Sequence, residues 1–141
     1  MNIFQIYQKK IKDLILDINK NGKIEIPANL DSIGVDIPPN QFKSHISTNV
    51  AMILSKINKT NPMDLAKKIE TELVKVDQSI EKIDIVKPGF INITFKNIFW
   101  NQFIQEVINE NYEYGSSSSK DKKSYFLEFV SANPTGPLHV G

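Results

Sequence analysis

The sequence predicts an α+β fold: a small antiparallel sheet with helices packed on one face. Three observations predict it. Apolar residues recur at spacings of three and four over Ile3 to Ile18, Leu65 to Leu73 and Ile98 to Asn109, the period of helices that bury one stripe. Ile83 and Ile85, then Ile91, Ile93 and Phe95, alternate with polar neighbours, the period of half-buried strands. Lys87-Pro88-Gly89 between the two runs reads as a tight turn, so the strands pair as a β-hairpin.

The remaining elements follow in chain order. Ile3, Phe4, Tyr7, Ile11, Leu14, Ile15 and Ile18 line the first helix, which Asn21-Gly22 ends. Lys23 to Pro27 alternates as a short strand stopped by proline, and Asn29 to Asn40, with Asp31, Gly34, Pro38 and Pro39, reads as an irregular loop. Ser47-Thr48-Asn49 offers N-cap candidates for a buried helix running from Val50 to about Ile57. Asn61-Pro62 is an N-cap with proline in the first helical position, and Asp64 in the first turn complements the helix dipole. Phe99, Trp100, Phe103, Ile104, Val107 and Ile108 belong to a last helix that closes over the sheet, Trp100 and Phe103 as core. Residues 115–123, rich in serine and lysine, read as a solvated linker, and Tyr125 to Val130 as a strand of the kind buried on both faces of a parallel sheet.

Composition narrows the functional classes. A chain of 141 residues accommodates one compact domain, and a second complete one does not fit. With 17 Lys+Arg against 16 Asp+Glu the net charge is +1, so no overall basic field draws the chain onto nucleic acid and any RNA contact rests on local chemistry. Cysteine is absent and there are only two histidines, His45 and His139, which excludes a disulfide framework and thiolate or histidine-rich metal sites. No signal-peptide pattern opens the chain, and no segment approaches the ~20 apolar residues that span a bilayer. The reading is cytoplasmic.

The most informative stretch is Glu128-Phe129-Val130-Ser131-Ala132-Asn133-Pro134-Thr135-Gly136-Pro137-Leu138-His139-Val140-Gly141. A strand, a Gly- and Pro-rich loop and an opening helix form the arrangement in which an open parallel sheet receives a nucleotide, with free N–H groups facing phosphate. Gly136 and Gly141 allow close backbone approach, and Pro134 and Pro137 stiffen the loop. The wording resembles the first signature of class I aminoacyl-tRNA synthetases, and it is similar to the bacterial-type arginyl enzymes in particular. The resemblance implies ATP, with magnesium, and arginine as substrates, with Pro137, His139 and Gly141 in the ATP signature and His139 stabilising charge during attack on the α-phosphate. It implies that Ser131, Ala132 and Asn133 line the arginine pocket, with Glu128 a carboxylate facing the cationic substrate. The second histidine of the signature would be the next residue, so the chain is expected to stop inside the motif and to be inactive alone. Without the resemblance, Glu128 reads as a solvated strand residue and His139 as a polar residue at a helix start.

The upstream region carries the resemblance further. Ser47-Thr48-Asn49-Val50-Ala51-Met52 and Pro88-Gly89-Phe90-Ile91-Asn92-Ile93 look like two recurrent blocks of the arginyl enzymes' N-terminal additional domain. The resemblance implies that the turn at the second block touches the D-loop at the elbow of arginine tRNA. Phe90 would stack on an unpaired base, Asn92 would read its edge, and Lys87 would meet backbone or phosphate, chemistry suited to single-stranded RNA. Read from the residues alone, Phe90 is core at a strand start and Asn92 a turn-supporting amide. The family places glycine before the position of His45, where this chain has Ser44; His45 itself reads as a satisfied polar residue. The expected organisation is an N-terminal additional domain over 1–112, a linker over 113–123, and over 124–141 the first strand of a Rossmann-like catalytic domain, belonging to a monomeric enzyme. The competing reading is a free-standing α+β interaction module indifferent to every tRNA. A shortened nucleotidyl transferase ranks below both, for want of a sheet to hold the nucleotide.

Overall fold

The computed structural model describes residues 2–116 and 124–128. The first helix, α1, runs Ile3–Lys20, capped by the Asn2 side chain, which accepts from the Phe4 N–H at 2.9 Å. Two short strands follow, β1 at Val35–Asp36 and β2 at Ile46–Thr48. Helices α2, Val50–Ser55, and α3, Pro62–Val76, lead into the hairpin of β3, Ile80–Val86, and β4, Phe90–Phe95. Helix α4, Asn97–Glu110, and a 3-10 turn at Asn111–Glu113 complete the order.

All strand pairs are antiparallel, in the order β1-β2-β4-β3. Side chains alternate across a strand, so the register sorts the sheet into two faces. Val35, Thr48, Ile91 and Ile85 form one cross-strand row, and Ile46, Ile93 and Ile83 the next; these lie on the face that meets the helices. Against it α1 buries Tyr7, Ile11, Leu14, Ile15 and Ile18, α2 buries Val50, Ala51 and Leu54, and α3 buries Leu65, Ala66, Ile69 and Leu73. The α+β architecture with helices on one face of a small antiparallel sheet is therefore the one observed. Asn61 caps α3 as the sequence predicts, accepting from the Met63 N–H at 2.8 Å.

Four expectations about strands, loops and caps are corrected. Lys23 to Pro27 is not a strand, although Ile24 is buried as its alternation requires. A side chain stands in for a neighbouring strand: the Asn58 amide accepts from the Glu25 N–H and donates to the Glu25 carbonyl, both at 2.8 Å. Within the predicted loop over 29–40, Val35–Asp36 pairs with β2. Ser47 and Thr48 are strand rather than cap residues, and Asn49, in the N-cap position of α2, makes no capping bond. The Asn49 amide instead accepts from the Gly34 N–H at 2.8 Å and donates to the Ser32 carbonyl at 3.1 Å, while the Thr48 hydroxyl donates to the Gly34 carbonyl at 2.8 Å. Finally, the predicted strand from Tyr125 shows no pairing over 124–128, where Tyr125, Phe126 and Leu127 are exposed. No described strand lies alongside to satisfy it, and an unpaired strand has no ladder to hold it.

Helix α4 forms as predicted but covers only one end of the sheet. Phe99 stacks on Phe95 with centroids 4.3 Å apart and meets Tyr7 edge-on, and Trp100 meets His45 edge-on at 5.0 Å. Phe103 is not core: its ring contacts are with Phe99 and Trp100 of its own helix. None of the α4 side chains described is fully buried, and Ile104 and Ile108 face solvent.

Candidate functional site

The sheet face turned away from the helices carries a polar row, Asp36, Ser47, Asn92 and Asp84, one residue from each strand in register. A cavity of about 360 Å³ opens over this row. The segment from Gly34 to Phe42 forms one wall, Val86, Lys87 and Phe90 at the hairpin turn form the other, and Ser47 and Asn92 line the floor. The bonds from Thr48 and Asn49 to Gly34 hold the first wall to the sheet.

The hairpin turn is fixed from behind. Gly89 has φ +151°, and a Cβ there would lie 2.7 Å from Pro62 Cβ and 3.3 Å from Met52 Cγ, so the turn rests on α3 and α2 with no room for a side chain. The Lys87–Pro88 peptide bond is cis. This seating sets where Lys87 and Phe90 emerge. Phe90 is 38% exposed although phenylalanine ordinarily seeks the core, and Lys87 is exposed and free of ion pairs among the described residues.

Asn92 is only 2% exposed, and its Oδ1 is buried without a hydrogen-bond partner. An unpaired buried amide costs on the order of 1–3 kcal/mol, so a native domain rarely keeps one without a use. Along the row, Asp84 is paired with Lys82 at 2.8 Å, whereas Asp36 makes no ion pair among the described residues. The cavity therefore carries an accessible aromatic face, a cation at its rim, a carboxylate on the far wall and an amide not engaged within the domain.

The structure thus gathers Lys87, Phe90 and Asn92 from the candidates read in the sequence. Glu128 is exposed in a stretch without regular structure. Ser131, Ala132, Asn133, Pro137, His139 and Gly141 lie outside the described residues. His45 is satisfied, its Nδ1 accepting from the Phe95 N–H at 2.9 Å and its own N–H bonded to the Ile93 carbonyl. Sequence reasoning overlooked Asp36 and Ser47, because strands of two and three residues are too short to show a period. Among the described residues no cluster of His, Cys, Asp or Glu could hold a metal ion, and no helix is long and apolar enough to cross a membrane.

Fold and cavity define the class: a small α+β domain with one sheet face closed by helices and the other left to polar and aromatic side chains. A family model described as arginyl tRNA synthetase N terminal domain matches residues 5–95, more than half of the chain. The chain belongs to that family. It is 54% identical over 142 residues to an arginine–tRNA ligase of Pelagibacter ubique and 42% identical over 141 residues to one of Bartonella henselae. In each case the match takes in 100% of this chain and 24% of the relative, so the chain spans about a quarter of the length of these curated relatives. Among solved structures, an arginyl-tRNA synthetase of Thermus thermophilus matches with a TM-score of 0.53 at 14% identity, over 76% of this chain and 16% of that one. One from Plasmodium falciparum matches with a TM-score of 0.54 at 16% identity, over 76% and 19%. At those identities the likeness is one of fold.

Proposed function

We propose that this chain is the tRNA-contacting N-terminal part of an arginine–tRNA ligase and that the cavity at the hairpin turn receives an unpaired base of the tRNA D-loop. Phe90 stacks on the base, Asn92 reads its edge, and Lys87 at the rim meets the phosphate backbone. The observation that carries the reading is the pairing of an exposed Phe90 with a buried, unpartnered Asn92 amide in one cavity. A splayed base offers what these groups lack, a π-face for the ring and donors and acceptors for the amide. With a net charge of +1 the domain holds RNA by this local contact, so its affinity falls only shallowly with added salt.

In the whole enzyme the reaction is the ATP-dependent activation of arginine, with magnesium, and its transfer to arginine tRNA, carried out by a monomer in the cytoplasm. The domain ends at 112, a linker covers 113–123, and 124–141 begins a Rossmann-like catalytic domain. There Glu128, Ser131, Ala132 and Asn133 serve arginine, and Pro137, His139 and Gly141 serve ATP. Catalysis needs those groups assembled around one transition state.

The test is an anisotropy titration of the chain with arginine tRNA and an unrelated tRNA, repeated with Phe90→Ala and Asn92→Ala. Stacking on one base contributes ~1–3 kcal/mol, so Phe90→Ala is expected to weaken cognate binding by ~5- to 150-fold. Asn92→Ala is expected to erase the preference between the two tRNAs. Equal binding of both tRNAs by all three proteins would refute the assignment.

A further inference from the structure

We infer that Ser47 is a second edge-reading residue, acting with Asn92 as a two-group reading head for the base held in the cavity. The inference rests on the functional reading above and extends it to the strand beside β4.

Ser47 is the direct cross-strand partner of Asn92. Such partners share a sheet face, with Cβ atoms ~4.5–5.5 Å apart, an interval that one nucleobase edge can bridge. Both line the cavity, both are buried, at 9% and 2% exposure, and neither side chain has a hydrogen-bond partner among the described residues. The neighbouring positions differ. The Thr48 hydroxyl is committed to Gly34 and the Asn49 amide to Gly34 and Ser32, so both hold the cavity wall. Ser47 has no such task within the domain.

The chemistry of the pair suits a base edge. A hydroxyl both donates and accepts, and an amide supplies one group of each kind, so the two can follow an edge on which donors and acceptors alternate. The charges decide which part of a nucleotide lies over them. Asp36, next in the row beyond Ser47, is unpaired and repels phosphate, whereas Lys87 at the opposite rim attracts it. The backbone is thereby kept at the turn, and the base edge is laid across Ser47 and Asn92.

The experiment compares the chain with its Ser47→Ala and Asn92→Ala variants. Each is titrated with arginine tRNA and with the same tRNA carrying abasic linkers in its D-loop, and thermal midpoints are measured alongside. Loss of one neutral hydrogen bond predicts that Ser47→Ala lowers the preference for the intact D-loop by ~3- to 10-fold. Affinity for the abasic tRNA and the thermal midpoint should stay unchanged. If Asn92→Ala removes the preference and Ser47→Ala leaves it whole, edge reading belongs to Asn92 alone and the inference fails while the functional reading stands. A Ser47→Ala variant that loses thermal stability and weakens both tRNAs in parallel assigns the residue a structural role and also overturns the inference. If neither variant alters the preference, the reading of the cavity falls and the inference with it.

Discussion

At Asp77 three side chains converge on one partly buried carboxylate. Tyr7 donates its hydroxyl at 2.9 Å, Lys10 its ammonium at 3.0 Å, and Ser79 both its hydroxyl and its N–H. The cluster ties α1 to the start of β3. Burial alone would raise the Asp77 carboxyl, but the bonds from Ser79, Lys10 and Tyr7 outweigh it and hold the group below its ordinary value. Burial pushes the Tyr7 phenol up, opposed by the Ser79 bond and reinforced by Asp77. For a carboxylate depressed on folding, the stabilisation is fully present above the unfolded value of ~3.9 and is lost as pH falls through the folded one. Asp77→Asn should therefore flatten the acid limb of stability against pH below about 4, and urea unfolding from pH 2 to 7 measures it. An acid limb as steep as that of the parent chain would mean that Asp77 is not its source. The contrast with Asn92 is instructive: Asp77 is satisfied from every side and serves the fold, whereas Asn92 is left without partners beside an opening.

Among the elements, the β3–β4 hairpin joins stability to function through one residue. Gly89 packs its bare Cα side against Pro62 and Met52, so Gly89→Ala must push the turn away from two helices. A forced contact of this kind costs ~1–3 kcal/mol. Its chemical-denaturation midpoint should fall accordingly with an unchanged m-value, and the preference for arginine tRNA should weaken because Phe90 moves with the turn. Full retention of both would show that the turn is not seated as described. The hairpin was legible in the sequence, since its two alternating runs are long and the turn residues stand between them. Strands β1 and β2 were not, because two or three residues cannot display a period, and Thr48 and Asn49 also fit the composition of a helix cap. Thr48 keeps one local bond, accepting from the Val50 N–H at 3.4 Å, but its donation to Gly34 and the Asn49 bonds to Gly34 and Ser32 are contacts that only the folded chain makes.

At the scale of the molecule, the fully buried apolar side chains among the described residues lie between Tyr7 and Phe95, and α4 adds Phe99 and Trp100 against the end of that core. The exposed Tyr125, Phe126 and Leu127 add nothing to it. A chain ending at residue 116 should thus keep its thermal midpoint within ~2 °C, while one ending at 96 should drop by several times that as Phe95 loses Phe99 and Trp100 from its ring contacts. Calorimetry on the two shortened chains checks this; a large drop in the longer one would mean that later residues contribute to the core.

Whatever depends on local pattern was legible in the sequence: the three long helices, the inward stripes of α1 and α3, the Asn61-Pro62 start, the hairpin, and the residues that carry the likeness to the arginyl enzymes. Helical and strand periods survive in a one-dimensional string because each element buries one side of itself. The tertiary structure alone decided the rest. It recruited Asn58 in place of a strand partner for Glu25, added β1 and β2 to the sheet, and set Asp36, Ser47 and Asn92 in one row. Those facts rest on register between strands far apart in the chain, where a shift of one residue would send the entire row to the opposite face, and no local pattern specifies that register.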